Sequence, residues 1–92
     1  MVSLALGSFK VQEQEVRHVD LLKNALNSAP KEGFVPEEMR KRLKVLDKLE
    51  TAGTSVDLED AEAETLKSAM ADMKWALLNK DILDLCDAVK AL

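Results

Sequence analysis

Residues 34–53, FVPEEMRKRLKVLDKLETAG, decide the predicted fold because they contain the signals of a helix from its start to its end. Pro36 has the fixed φ that suits the first position of a helix, and the two glutamates after it place negative charge at the positive end of the helix dipole. Gly53 can adopt the left-handed conformation that commonly follows a helix. The stretch therefore predicts a helix over residues 36–52.

Apolar residues on this helix recur at spacings of four, three and three and form one stripe: Met39, Leu43, Leu46 and Leu49. Since this spacing is typical of an amphipathic helix, we expect the stripe, with Leu46 at its centre, to face the core. The remaining faces carry the basic cluster of the chain: Arg40, Lys41, Arg42, Lys44 and Lys48. We interpret this cluster as a solvated face or as a contact with an acidic protein. The alternative hypothesis is a DNA-binding face.

Two different periods precede this helix. Residues 1–10 open with an alternation of aliphatic and small side chains, which predicts either a short extended strand or a disordered terminus. From residue 12 the apolar side chains follow a helical period, and Pro30 disfavours helical geometry in the residue before it. We therefore expect a first helix over residues 12–28, followed by a short linker.

The second half of the chain predicts two more helices. Residues 54–58 suit either a brief strand or the approach to a helix. Asp57 is a favourable N-cap followed by acidic residues, so we place the third helix over residues 58–73. The apolar stripe then changes phase and Asn79 is a second favourable N-cap, which predicts a break and a last helix over residues 80–92.

These segments together predict an all-α fold, a small bundle of about four helices at residues 12–28, 36–52, 58–73 and 80–92. A short N-terminal β-strand is left open as an addition to the bundle. A chain of 92 residues is expected to form one domain, residues 1–92, and to bury roughly two-thirds of the surface that its unfolded chain exposes.

Composition restricts the kind of function. The net charge is −4, and it divides into +2 for residues 1–46 (8 basic, 6 acidic) and −6 for residues 47–92 (5 basic, 11 acidic). An acidic chain argues against nucleic acid as the partner, because phosphate binding relies on clustered cations. No apolar segment reaches the roughly 20 residues that span a bilayer. We therefore expect a soluble, cytoplasmic protein that does not enter membranes.

Residues with catalytic or metal-binding chemistry are few. Cys86 is the only cysteine and His18 the only histidine, so one chain cannot supply a nitrogen or sulfur cage for a metal. The acidic run over residues 57–64 lacks the glycine of a calcium-binding loop. A nucleophilic cysteine would need a base, and the sequence identifies none. We predict no enzymatic activity, no metal and no cofactor.

Three parts of the chain resemble the layout of small phage and prophage proteins: GFVPEEMR at residues 33–40, LEDAE at 58–62, and MKW with ILD at 73–75 and 82–84. The resemblance implies a virion-assembly accessory or an inhibitor that binds a host protein. It also implies a location in the host cytoplasm or in the virion. It carries over no functional residue.

We predict a non-enzymatic protein-interaction module that binds another protein or a second copy of itself. The reason is that the amphipathic last helix and the apolar N-terminus offer more apolar surface than three helices can readily cover, and exposed apolar patches commonly mark interfaces. The alternative is a small DNA-binding regulator that uses the basic face of helix 36–52. The candidate partner-binding residues combine the basic cluster with the apolar C-terminal part of the chain: Arg40, Lys41, Lys44, Lys48, Trp75, Ile82, Leu85, Val89 and Leu92.

Overall fold

A computed structural model describes residues 2–28, 33–75 and 79–92. The described residues form four strands and four helices. In chain order these are β1 (Val2–Ala5), β2 (Ser8–Val11), β3 (Gln14–Arg17), α1 (His18–Asn27), α2 (Pro36–Glu50), β4 (Ser55–Leu58), α3 (Asp60–Asp72) and α4 (Lys80–Lys90). Met1 and most of the linker predicted after the first helix lie outside the described residues.

The prediction of an all-α fold is wrong, because the chain combines its helices with two small antiparallel sheets. β1 pairs with β4, and this pairing brings Leu4 opposite Val56. Both side chains are buried, as is Leu58 at the end of β4. The alternation that suggested an N-terminal strand therefore belongs to a real strand, whose partner lies more than fifty residues further along the chain.

The second sheet occupies the start of the helix predicted at residues 12–28. β2 and β3 form a hairpin, and the turn between them places Gln12 at φ 51° and Glu13 at φ 69°. Positive φ at both central residues is the geometry of a two-residue hairpin turn. The helix α1 consequently begins only at His18, whose backbone N–H donates to the carbonyl of Gly7 at 2.9 Å and whose Nδ1 accepts from the Gly7 N–H at 3.1 Å.

The third helix also begins later than predicted, since residues 55–58 form the strand β4. Asp57 lies within that strand, and Glu59 is the N-cap of α3. Glu59 and Glu62 form a capping box, in which each side chain accepts a hydrogen bond from the other residue's backbone N–H. This reciprocal bonding satisfies two donors that the first turn of a helix leaves without an intrahelical partner.

The break before the last helix is confirmed on the described residues. α3 ends at Asp72 and α4 begins at Lys80, while residues 76–78 lie outside the described part of the chain. The predicted N-cap is also confirmed, because Asn79 Oδ1 accepts from the backbone N–H of Asp81 at 2.7 Å and of Ile82 at 3.3 Å. α4 ends at Lys90, two residues before the predicted end.

One hydrophobic core joins the sheet β1–β4 to all four helices. Its most deeply buried large side chains come from the first three helices, from β4 and from α4: Leu22, Leu26, Val45, Leu49, Leu58, Leu66 and Val89. Because α2 contributes Val45 and Leu49 to this core, the orientation of α2 decides which of its side chains remain at the surface.

Candidate functional site

The orientation of α2 differs from the prediction. The predicted stripe was expected to face the core, but Met39 is 46% exposed and Leu43 is 54% exposed. Leu46, its predicted centre, is only partly buried at the edge of the core. The buried face of α2 consists instead of Arg42, Val45 and Leu49.

Arg42 explains this rotation. Its side chain is buried, and Nη1 donates to the carbonyl oxygens of Leu26 at 3.0 Å and Ala25 at 3.3 Å. These carbonyls belong to the last turn of α1, where backbone acceptors lack intrahelical partners and a positive charge is favoured by the helix dipole. Nε donates to Glu38 at 3.1 Å, and the guanidinium carbon lies 4.7 Å from the centre of the Phe34 ring. Arg42 therefore holds its own face of α2 against α1.

The consequence is an apolar strip on the outside of α2, which we call the α2 seam and define as Val35, Met39, Leu43 and Leu46. Val35, the N-cap of the helix, is 66% exposed. Met39, Leu43 and Leu46 are spaced by four and three residues, which places them on one side of the helix surface, and Val35 lies at the N-terminal end of this strip. The seam is thus most of the stripe that the sequence predicts, together with Val35, but much of it faces solvent.

Two opposite charges flank the seam on one side. At about 100° of rotation per residue, Arg40 and Asp47 both lie on the side of Leu43 that points away from the core. Both are exposed, and neither forms an ion pair with any residue that the structure describes. They are seven residues apart, close to two helical turns.

The three lysines of α2, Lys41, Lys44 and Lys48, lie on the side of the helix next to α3. Lys48 forms an ion pair with Glu62, whose side chain is only 12% exposed. Burial opposes ionisation of Glu62, but hydrogen bonds from Lys48 and from the Glu59 N–H, together with the positive charges of Lys48 and Lys44, outweigh it and hold the Glu62 pKa below its ordinary value. Lys41 is exposed beside a shallow groove between α2 and α3. The candidate cluster of Arg40, Lys41, Lys44 and Lys48 is therefore divided between two faces.

The apolar candidates of the C-terminal region pack inside the fold. Ile82, Leu85 and Val89 are buried, while Trp75 and Leu92 are partly buried against the core. The structure uses the apolar face of α4 for intramolecular packing. The large apolar side chain of α4 that faces solvent is Leu83, which is 58% exposed.

A groove of about 450 Å³ between α3 and α4 contains Cys86. Burial raises the pKa of the Cys86 thiol, although a hydrogen bond with Trp75 acts in the opposite direction. The thiol is consequently protonated at neutral pH, and the thiolate is the form that attacks substrates and binds metals. Over the ranges that the structure describes, no group of three or more His, Cys, Asp or Glu side chains could hold a metal ion.

The seam could not be found from apolar spacing alone, because that spacing is the usual sign of a core face. The available signal was local: Arg42 follows Glu38 by four residues and Phe34 by eight, so both can contact the guanidinium. An arginine with two such neighbours is a candidate for burial, and its burial turns Met39 and Leu43 outwards.

No family model, curated protein or solved structure matches this chain. In the part of the chain that the structure describes, no helix is long and apolar enough to cross a membrane.

Proposed function

We propose that this chain is a non-enzymatic protein-interaction module and that the α2 seam is its contact surface. One observation carries the proposal. The described residues include four large apolar side chains that are clearly exposed, and three of them belong to α2 or to its N-cap: Val35, Met39 and Leu43. Met39 and Leu43 are four residues apart, so they are neighbours on one face of the helix. Scattered exposed side chains are ordinary on a protein surface, whereas contiguous ones commonly mark an interface.

The seam has two properties that suit a helix face for contact with a protein: adaptable apolar side chains and a firmly anchored helix. Met39 is an adaptable side chain that fits irregular surfaces. Removal of such side chains from water contributes about 25 cal/mol per Å² of apolar area, before the entropic costs of association are subtracted. α2 itself is held by Arg42 and by the core residues Val45 and Leu49, so the seam is presented on a rigid element.

We further propose that the module acts in the cytoplasm of a host cell or within a virion, as an assembly accessory or as an inhibitor of a host protein. The support for this setting is the resemblance of residues 33–40 and 58–62 to small phage and prophage proteins. The DNA-binding alternative has less support, because Lys48 is paired with Glu62 and Lys44 lies close to the same carboxylate.

The experiment compares two matched substitutions. Leu43 and Leu83 are both exposed leucines on helices, at 54% and 58%, and either can become lysine with little effect on folding. Affinity-tagged wild type, Leu43→Lys and Leu83→Lys are expressed in the source cell beside an untagged copy of the chain. We expect wild type and Leu83→Lys to retain the same protein, and Leu43→Lys to lose it.

Nuclease treatment before capture separates the two kinds of partner. Retention that survives nuclease and depends on Leu43 supports the proposal. Retention that nuclease abolishes, or that Leu43→Lys leaves unchanged, overturns it.

A further inference from the structure

We propose that the occupant of the α2 seam is a second copy of this chain, with the two α2 helices packed antiparallel about a two-fold axis. The inference rests on the proposed function, since it names the partner for the same surface. It is drawn from the two opposite charges beside the seam, Arg40 and Asp47. These can pair between two copies only when the two α2 helices run in opposite directions.

The arrangement follows from the positions of Arg40 and Asp47. In an antiparallel pair whose two-fold axis passes midway between these positions, Arg40 of one copy lies opposite Asp47 of the other, and the symmetry repeats the contact. Two ion pairs therefore flank the seam. In a parallel pair the two-fold axis runs along the helices, so the charged flank of one copy lies beside the Met39 and Leu46 flank of the other and neither charge meets an opposite charge. The charges thus favour the antiparallel direction, because only there do opposite charges meet across the seam.

The same axis brings the apolar residues together. Leu43 lies almost on the axis and packs against Leu43 of the second copy. Met39 of one copy approaches Leu46 of the other, so a bulky side chain lies on each side of the central leucines. A two-fold interface uses the same patch on both copies. In the α2 seam the more exposed of the two leucines, Leu43, lies at the centre of this patch.

The charged partners are available for this contact. Arg40 and Asp47 are exposed and have no ion pair with any other described residue. By contrast Lys48 is paired with Glu62, and Glu50 is paired with Lys23 at 3.0 Å. The antiparallel direction also opposes the dipoles of the two α2 helices, which favours this alignment over the parallel one.

The size of the seam sets the strength of the association. The α2 seam consists of only four side chains, so the area it offers is smaller than the roughly 800 Å² per partner of a stable complex. The dimer is therefore weak and forms only at high concentration or where copies are held close together, as in an assembly.

Sedimentation equilibrium of the full chain, from about 10 µM to about 1 mM, tests the antiparallel arrangement. The wild type is compared with variants in which the charges at positions 40 and 47 are reversed singly or together. We expect the average mass of the wild type to rise above 10.2 kDa as concentration increases. Arg40→Asp and Asp47→Arg should each weaken the association about tenfold, because each removes both symmetric pairs and brings like charges together. The double variant Arg40→Asp/Asp47→Arg should restore it, since the pairs then form with their signs exchanged.

Two results overturn the inference. A wild type that keeps a mass of 10.2 kDa throughout excludes self-association. A double variant that associates no better than the single variants excludes the antiparallel pairs. Circular dichroism of every variant confirms that the exposed substitutions leave the fold intact. If the wild type is monomeric and Leu43 is still required to capture another protein, self-association fails and the proposed function stands; if Leu43 is required for neither, both fail.

Discussion

Arg42 Nη1 donates a hydrogen bond to the carbonyl oxygen of Leu26 at 3.0 Å, and this contact joins the middle of α2 to the last turn of α1. It determines which face of α2 is buried. The first prediction tests its contribution to stability. Arg42→Met keeps a long side chain but removes every donor, so the Leu26 carbonyl loses the guanidinium and the Ala25 carbonyl keeps only the backbone N–H of Ser28. We expect a loss of about 2 to 3 kcal/mol in the free energy of unfolding.

Urea unfolding of Arg42→Met and of Lys41→Met measures this contribution. Lys41 is the neighbouring residue and is exposed, so its substitution should change the stability by less than about 0.5 kcal/mol. Equal effects of the two substitutions would show that Arg42 does not hold α2 in its orientation.

The second prediction tests which face of α2 is buried, by comparing the same leucine-to-alanine substitution at two positions of the helix. Leu49 is buried and Leu43 is 54% exposed. Leu49→Ala should therefore cost about 2 to 5 kcal/mol, through lost burial and the cavity left behind. Leu43→Ala should cost less than about 0.5 kcal/mol. Thermal and urea unfolding check both values, and the reverse ranking would mean that the Met39–Leu43 side of α2 is buried.

The third prediction concerns the hairpin turn. Gln12 and Glu13 both have positive φ, which costs energy for residues with a Cβ and is accommodated far better by asparagine and glycine. The double substitution Gln12→Asn/Glu13→Gly should raise the free energy of unfolding by about 1 kcal/mol. The control is Gln14→Gly, because Gln14 lies in β3, where glycine weakens a strand. If the turn does not have positive φ at both residues, the double substitution should lower the free energy of unfolding, as Gln14→Gly does.

The fourth prediction concerns acid. The pKa of Glu62 is held below its ordinary value of 4.5, so its ionised form is favoured more in the folded state than in the unfolded state. This stabilisation is fully present above the ordinary pKa and is lost as the pH falls through the lower pKa of the folded protein. Glu62→Gln retains a side chain that can form the capping box but removes the charge.

Unfolding measured from neutral to acidic pH checks this effect. The free energy of unfolding of the wild type should exceed that of Glu62→Gln by on the order of 1 kcal/mol at neutral pH. This difference should vanish in acid. The control is Glu64→Gln, since the Glu64 side chain is 74% exposed and an exposed ion pair contributes little. A difference that persists unchanged into acid would contradict the role of the Glu62 charge.

Local signals in the sequence predicted some elements well. Pro36 marks the start of α2, and Asn79 caps α4 with the hydrogen bonds expected of it. These features depend on residues within one turn of each other, so they can be recognised without knowledge of the fold. Leu66, Ala69 and Met70 are buried together on α3, and the period of the helix alone determines that they share a face.

The sheets could not be predicted from local signals. β4 pairs with β1 across most of the chain length, and nothing within residues 55–58 specifies that partner. The turn at Gln12 and Glu13 contains none of the glycine, asparagine or aspartate that usually marks such a turn. Val11 and Val16, on either side of the turn, also fit the helical period of α1, so local signals predict a helix there instead of a hairpin.

The candidate site was only partly predictable. The sequence predicts Arg40 as a candidate contact residue, and the structure places it beside the seam, where contact with a partner stays a prediction. The sequence predicts that Met39, Leu43 and Leu46 face the core, because apolar residues at helical spacing usually face inwards. The side chain that reverses this expectation is a buried arginine bonded to another helix, and such a tertiary contact is not encoded in the period of α2.

The central claim is that the exposed side of α2 contacts protein. Photo-crosslinking in the source cell tests it most directly, with a photoreactive amino acid in place of Leu43 and, as the matched control, in place of Leu83. We predict a discrete covalent adduct with protein at position 43, either a second copy of the chain or another protein, and no such adduct at position 83. The absence of a protein adduct at position 43, or the same adducts at both positions, would contradict the claim.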